Sequence, residues 1–188
     1  MANQDAAFGF KPSRSLVGGS IRNNVYKIAA NYGTSIFSGQ TVEAVAAGGI
    51  EAAAAGDTQQ LGVFGGVQYT DPTSGKPTFK PFYSASTNAS DLEAIVYDDP
   101  QLIFEVQHDG TGTAAMNFSA FDFTGVAGST ISGQSTQELD SDTTGTTGGF
   151  KQLSIVTDPS NDDTSSANAN AFVAFNTGEH VFKLTTAI

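Results

Sequence analysis

Few side chains in this chain could carry chemistry, and their spacing keeps them apart. The 188 residues include two histidines, His108 and His180, and no cysteine. Neither histidine stands in a His-x-His or His-x-x-x-His pair, the spacings that aim two imidazoles at one metal. Without cysteine, disulfides and thiolate metal sites are ruled out. No Gly-x-Ser-x-Gly elbow offers a nucleophilic serine, and no Gly-x-x-x-x-Gly-Lys-Ser/Thr loop offers a phosphate cradle. His108 follows a strand candidate and is expected to be exposed at a hairpin end. Two acidic groups have oxygen-rich spacing: Glu138, Asp140 and Asp142, then Asp158, Asp162 and Asp163. Hard carboxylate oxygens could hold Ca²⁺, which takes about 6–8 of them in flexible geometry. Neither group matches an EF-hand loop, and a solvated acidic loop is the other reading of each. No catalytic, metal-binding or cofactor-binding residue is therefore assigned, and the chain is expected not to be an enzyme.

The elements that would position any site are short. Turn signals recur at roughly 8–12-residue intervals, among them Gly18-Gly19, Gly48-Gly49, Gly65-Gly66, Asp99-Pro100 and Asp109-Gly110. Between them lie strand candidates Val25–Ala30, Ile36–Phe37, Thr41–Ala46, Leu61–Tyr69, Thr78–Tyr83, Leu92–Tyr97 and Leu102–Gln107. Leu153–Val156, Ala171–Phe175 and Val181–Leu184 follow. This pattern predicts an all-β fold, an antiparallel sandwich or small barrel, with an extended N-terminal arm and long polar loops. Leu92–Gln107 reads as a hairpin turning at Asp99-Pro100, with Leu102, Phe104 and Val106 on one face. Gly49–Ala55, with four consecutive alanines, reads as one short helix or a loop. Residues 126–149 hold few apolar side chains and read as a long excursion loop that a partner could order; 158–170 is a second polar stretch.

Charge divides the chain. The first 42 residues carry Lys11, Arg14, Arg22 and Lys27 against Asp5 alone, a net +3 before the −14 of the remainder. The total of −11 argues against nucleic-acid binding, which needs clustered cations. No apolar run approaches the roughly 20 residues that span a bilayer, so no membrane partner is expected. The N-terminus lacks the basic and apolar regions of a signal peptide, and the absence of cysteine fits intracellular synthesis. The division predicts residues 1–30 as an attachment arm and 31–188 as a β-rich body, probed by a surface through Phe8, Phe10, Lys11, Arg14, Leu16, Arg22 and Lys27. Removing residues 1–22 is expected to leave the body folded.

A set of stretches, in order, carries a family likeness. They are Phe8-Gly9-Phe10-Lys11-Pro12, Tyr32–Gly39, Leu61–Tyr69, Tyr97-Asp98-Asp99-Pro100, Phe104–Gly110, Glu138-Leu139-Asp140 and Thr157–Asn161. In these the chain resembles the small virion structural proteins of marine tailed phages, of the head-decoration or cement type. The resemblance implies a non-enzymatic β protein, made in the host cytoplasm, that sits on the outside of the head. It implies the major capsid protein as partner, a homo-oligomer (trimer or dimer), bridged capsomers, and no cofactor. A tail or baseplate protein, a carbohydrate-binding module with a Tyr or Phe platform, and a hydrolase are the other readings.

Overall fold

Alternating apolar residues cut by turn pairs give each strand one face to bury, and two such sheets bury theirs against each other. The computed structural model describes residues 2–56, 59–125, 128–176 and 178–183. Among them are thirteen strands, three 3-10 turns and no α-helix, and the antiparallel sheets pack as a sandwich that does not close into a barrel. The first sheet runs β1 (Lys11–Ser15), β10 (Leu102–Gln107), β13 (Asn170–Phe175), β12 (Phe150–Ile155) and β11 (Ala120–Phe121). The second runs β2 (Asn24–Lys27), β9 (Glu93–Tyr97), β6 (Gln60–Thr70), β4 (Thr41–Ala44) and β5 (Ile50–Ala52), with β7 (Pro77–Lys80) also paired to β6. β3 (Ile36–Phe37) and β8 (Phe82–Tyr83) form a separate ribbon.

The stretch read as a hairpin is a corner between sheets. The Asp99-Pro100 turn forms: the Leu102 N–H donates to the Asp99 carbonyl at 3.0 Å, and the Gln101 N–H to Asp99 Oδ1 at 2.9 Å. The strands it joins then part, β9 pairing with β2 and β6, and β10 with β1 and β13. Their apolar sets enter different clusters, Leu92, Ala94 and Val96 in one, Leu102, Phe104 and Val106 in the other. Local alternation dictates that each strand has a buried face but not which strand lies beside it.

Three further expectations are corrected. Gly49–Ala55 contributes the strand β5 rather than a helix or loop, because Ile50–Ala52 completes the edge of β4. Val181–Lys183 forms a 3-10 turn rather than a strand; Leu184 lies outside the described residues. Residues 128–149 are fastened to their own body. Leu139 is fully buried, the Thr41 N–H donates to Gln137 Oε1 at 2.9 Å, and Ser38 bridges Gln134. Val126 and Ala127 lie outside the described residues.

One cluster centres on five phenylalanines brought from five places in the chain. Phe10 stacks on Phe150 with ring centroids 4.2 Å apart, and Phe150 stacks on Phe175 at 4.9 Å. Phe104 and Phe123 meet Phe150 edge-on. Offset stacking and edge-to-face contact satisfy the ring quadrupoles as well as the burial. Phe10 is completely buried, so the segment preceding β1 is part of the core. Phe10→Ala should lower unfolding stability by about 3–5 kcal/mol in a denaturant titration. Removing residues 1–22, which takes away both Phe10 and β1, should abolish the cooperative transition; a body that still unfolds cooperatively at the wild-type midpoint would contradict this packing.

Candidate functional site

The N-terminal thirty residues are where sequence reasoning places the functional surface, and the structure builds them onto the body at every level. Near the start, Asn3 Nδ2 donates to the carbonyls of Asp163 and Ala167, and Asn3 Oδ1 accepts from the Asp163 N–H at 3.0 Å. Gln107 Nε2 and Asn161 Nδ2 donate to the Gln4 carbonyl, and the Ala6 N–H donates to Gln107 Oε1. These amides tie the N-terminus along the polar stretch 158–170. Phe8 is half-buried and Phe10 is in the core, so Phe10 is withdrawn from any outside contact.

The four cations are also engaged. β1 lies antiparallel to β10 with Lys11 opposite Glu105, and the Lys11 Nζ stands 3.7 Å from the Glu105 carboxylate. β2 lies antiparallel to β9 with Lys27 opposite Glu93, and Lys27 Nζ donates to Glu93 Oε1 at 2.9 Å. Arg22 Nε is 3.8 Å from Asp99 Oδ2, and the Arg14 guanidinium lies 4.6 Å from the centre of the Phe172 ring. All four cations are exposed, and exposed ion pairs of this kind contribute little to stability. The Lys11–Glu105 and Lys27–Glu93 pairs act mainly on register, since opposite charges directly across two strands favour that pairing. The positive leader is thus met by carboxylates of its own body.

A deeper latch holds β2. Asp98, 1% exposed, accepts at Oδ2 from the Tyr26 hydroxyl at 2.5 Å and from Asn24 Nδ2 at 2.7 Å. Burial, with the Asp98 carboxylate beside it, pushes the Tyr26 phenol well above its ordinary range. No sequence spacing singled out Asp98; only the pairing of β2 with β9 shows what it does.

Apolar side chains are left uncovered at this corner. Between β1 and the middle of β2, Leu16 is 56% exposed and Val17 71%, with Ile21 and Val25 exposed too. β1 and β2 each stand at the end of their sheet. Of the seven residues expected to touch a surface, Lys11, Arg14, Leu16, Arg22 and Lys27 are exposed, Leu16 and Arg22 within this flank; Phe8 and Phe10 do not share its exposure. Val17 and Ile21 belong to the same flank and were missed, because as isolated apolar residues in a Gly-rich stretch they carry no periodic signal.

The other chemistry-bearing groups have structural employment. His108, just past the end of β10, is fully buried rather than exposed at a hairpin end, because Phe121 and Gln152 pack against its ring. Gln152 Nε2 donates to Thr113 O and Asn117 Oδ1, leaving Gln152 Oε1 to accept. The proton of His108 is therefore assigned to Nε2, which donates to Gln152 Oε1 at 2.8 Å, while Nδ1 accepts from the Ser141 hydroxyl at 3.1 Å. His180 is likewise fully buried, against Phe175. The acidic groups cap their own turns: Asp140 Oδ1 accepts from the Asp142 N–H, Asp158 Oδ1 from Ser160, and Asp163 Oδ1 from Ser165. Among the described residues no group of three or more His, Asp or Glu could hold a metal ion, and no helix is long and apolar enough to cross a membrane.

In comparison with known proteins, no protein-family model, no curated protein and no solved structure matches the chain.

Burial holds the His108 imidazole below its ordinary value of 6.5, so the folded protein keeps it neutral where the unfolded chain takes up a proton. That stability is complete above about pH 6.5 and is lost as the pH falls from there toward the depressed value. Glu138, whose carboxyl burial pushes up, contributes with the opposite sign, so the difference between proteins isolates the histidine. His108→Gln should be less stable at neutral pH yet lose less of its melting temperature between about pH 7 and pH 5 than wild type. Parallel melting curves for the two proteins across that range would refute the assignment.

Proposed function

We propose that this protein is a structural component of a virus particle, of the head-decoration type, that binds the outside of a major capsid lattice and bridges neighbouring capsomers. The observation that carries this reading is the uncovered apolar flank: Leu16, Val17 and Ile21, set between two strands that each end a sheet, with Val25 on the second of them. Exposed apolar groups gathered in one place mark interaction surfaces. An end strand offers a row of backbone donors and acceptors to which an extended segment of a partner can add. The order of sequence stretches resembling phage head-decoration proteins supports the identity of that partner.

The mechanism differs from electrostatic docking by a basic arm. With Lys11, Arg22 and Lys27 beside carboxylates of the same chain, attachment rests on burial of the apolar flank and on backbone pairing, and is only weakly sensitive to salt. A dimer or trimer repeated over a symmetric lattice gains avidity from many modest contacts. The acidic remainder keeps closely spaced copies soluble and mutually repelling.

Heads lacking this protein, incubated with it and reconstructed by electron microscopy, should show it on their outer face with the 16–25 flank against the lattice. Leu16→Ser combined with Val17→Ser should leave folding intact and weaken head binding about ten-fold or more, from the lost burial of two apolar side chains. Density on the tail or baseplate in place of the head, or full occupancy by the double variant, overturns the reading.

A further inference from the structure

A groove of about 530 Å³ opens on the outer face of the second sheet, where β9, β6 and β7 lie side by side. Gln68, Thr70, Phe79, Asp91 and Glu93 line it. Pairing sets Gln68 opposite both Phe79 and Glu93, and Glu93 opposite Lys27. Residues directly opposite share a face, so an aromatic ring, an amide, a carboxylate and an ammonium form one row across four strands.

The ring tip approaches a glycine. A Cβ on Gly66 would come within 2.6 Å of Phe79 Cζ, so glycine lets the phenyl group lie close to β6 as it does here. Phe79 as a whole stays 59% exposed. The polar groups beside it are hydrogen-bonded to one another and to the backbone. Gln68 Nε2 donates to Glu93 Oε2 at 3.0 Å, Lys27 Nζ to Glu93 Oε1 at 2.9 Å, and the Thr70 N–H to Asp91 Oδ2 at 3.0 Å. These bonds hold both carboxyls below their ordinary values, Glu93 chiefly through Lys27 and Asp91 chiefly through Thr70. The groove therefore offers an exposed π face flanked by carboxylate acceptors, and each carboxylate oxygen accepts more than one donor.

A pyranose ring complements that arrangement. Its C–H face carries partial positive charge that suits the negative face of a phenyl ring, and its rim of hydroxyls donates to carboxylates in charge-assisted bonds. The charge balance selects among sugars. Two carboxylates against one ammonium repel uronic and other acidic sugars. A cationic ligand is the poorer fit, because Lys27 already neutralises Glu93 and the aromatic is one open ring rather than a cage. We infer that the outer face of the second sheet is a binding site for neutral saccharides, with Phe79 as stacking platform and Gln68, Asp91 and Glu93 as hydroxyl partners. The groove itself lies on β6, β7 and β9 and uses neither Leu16 nor Val17, while Lys27, at the end of the row, sits on β2 next to the attachment flank.

The full-length protein, labelled with nitrogen-15, should be titrated with neutral oligosaccharides chosen from a neutral-glycan array, with polygalacturonate and hexa-arginine alongside. At least one neutral oligosaccharide should shift the amides of 66–70, 77–80 and 91–93 at concentrations up to about 10 mM, a weak but specific affinity. Phe79→Ala should weaken that binding about ten-fold or more without lowering the melting temperature, Asp91→Asn should weaken it less, and Phe79→Tyr, which keeps the platform, should retain it. Silence across the array, shifts that survive Phe79→Ala unchanged, or shifts produced by hexa-arginine alone would each overturn the inference.

Discussion

The fold depends on where Phe10 goes. Its ring is stacked between the edges of Phe104 and Phe123 and on the face of Phe150, which in turn stacks on Phe175. That contact draws the N-terminal segment into the sandwich, aligns β1 along β10, and so fixes where the connector to β2 leaves one sheet for the other. The exposed flank at residues 16–25 is a by-product of this geometry. A segment pinned by Phe10 on one side and by the Asp98 latch on the other has to cross the gap between two sheet edges, and the crossing is uncovered.

The charge division then takes on a different meaning. A basic leader before an acidic body looks, in one dimension, like a hand held out to an acidic partner. In three dimensions β1 and β2 lie against β10 and β9, and Lys11 and Lys27 face Glu105 and Glu93 across the ladder. Such pairs contribute little stability individually, but they penalise a register slip that would set like charges together. The asymmetry in sequence is largely the means by which the N-terminus finds its place.

The strand inventory was largely legible because alternation at Glu93–Tyr97 and Leu102–Gln107 reports a half-buried surface directly. Partnership was not, and the corner at Asp99-Pro100 shows why: a four-residue turn has the same chemistry whether the chain doubles back or changes sheets. β5 was illegible because alanines favour helix in isolation, and only the open edge of β4 overrides that preference. His108 was misplaced for a related reason, since burial of a polar ring depends on Gln152 and Ser141, which arrive from distant parts of the chain. The exposed flank and the Phe79 platform had no periodic signature at all; Gly66 reads as half of a turn pair until β7 is laid beside it.

The corner between sheets also governs how the molecule can be made. Because β1 pairs with β10 and with no other described strand, it has no neighbour until β10 has been synthesised, and β10 in turn lacks its other neighbour until β13 follows. Closing such distant contacts costs chain entropy before any burial is returned, so the sandwich is completed only after β13 has joined β10. During that interval the phenylalanines of the core and the edges of β1 and β2 are open together, in a chain whose acidic surplus supplies the repulsion that keeps nascent copies from joining edge to edge.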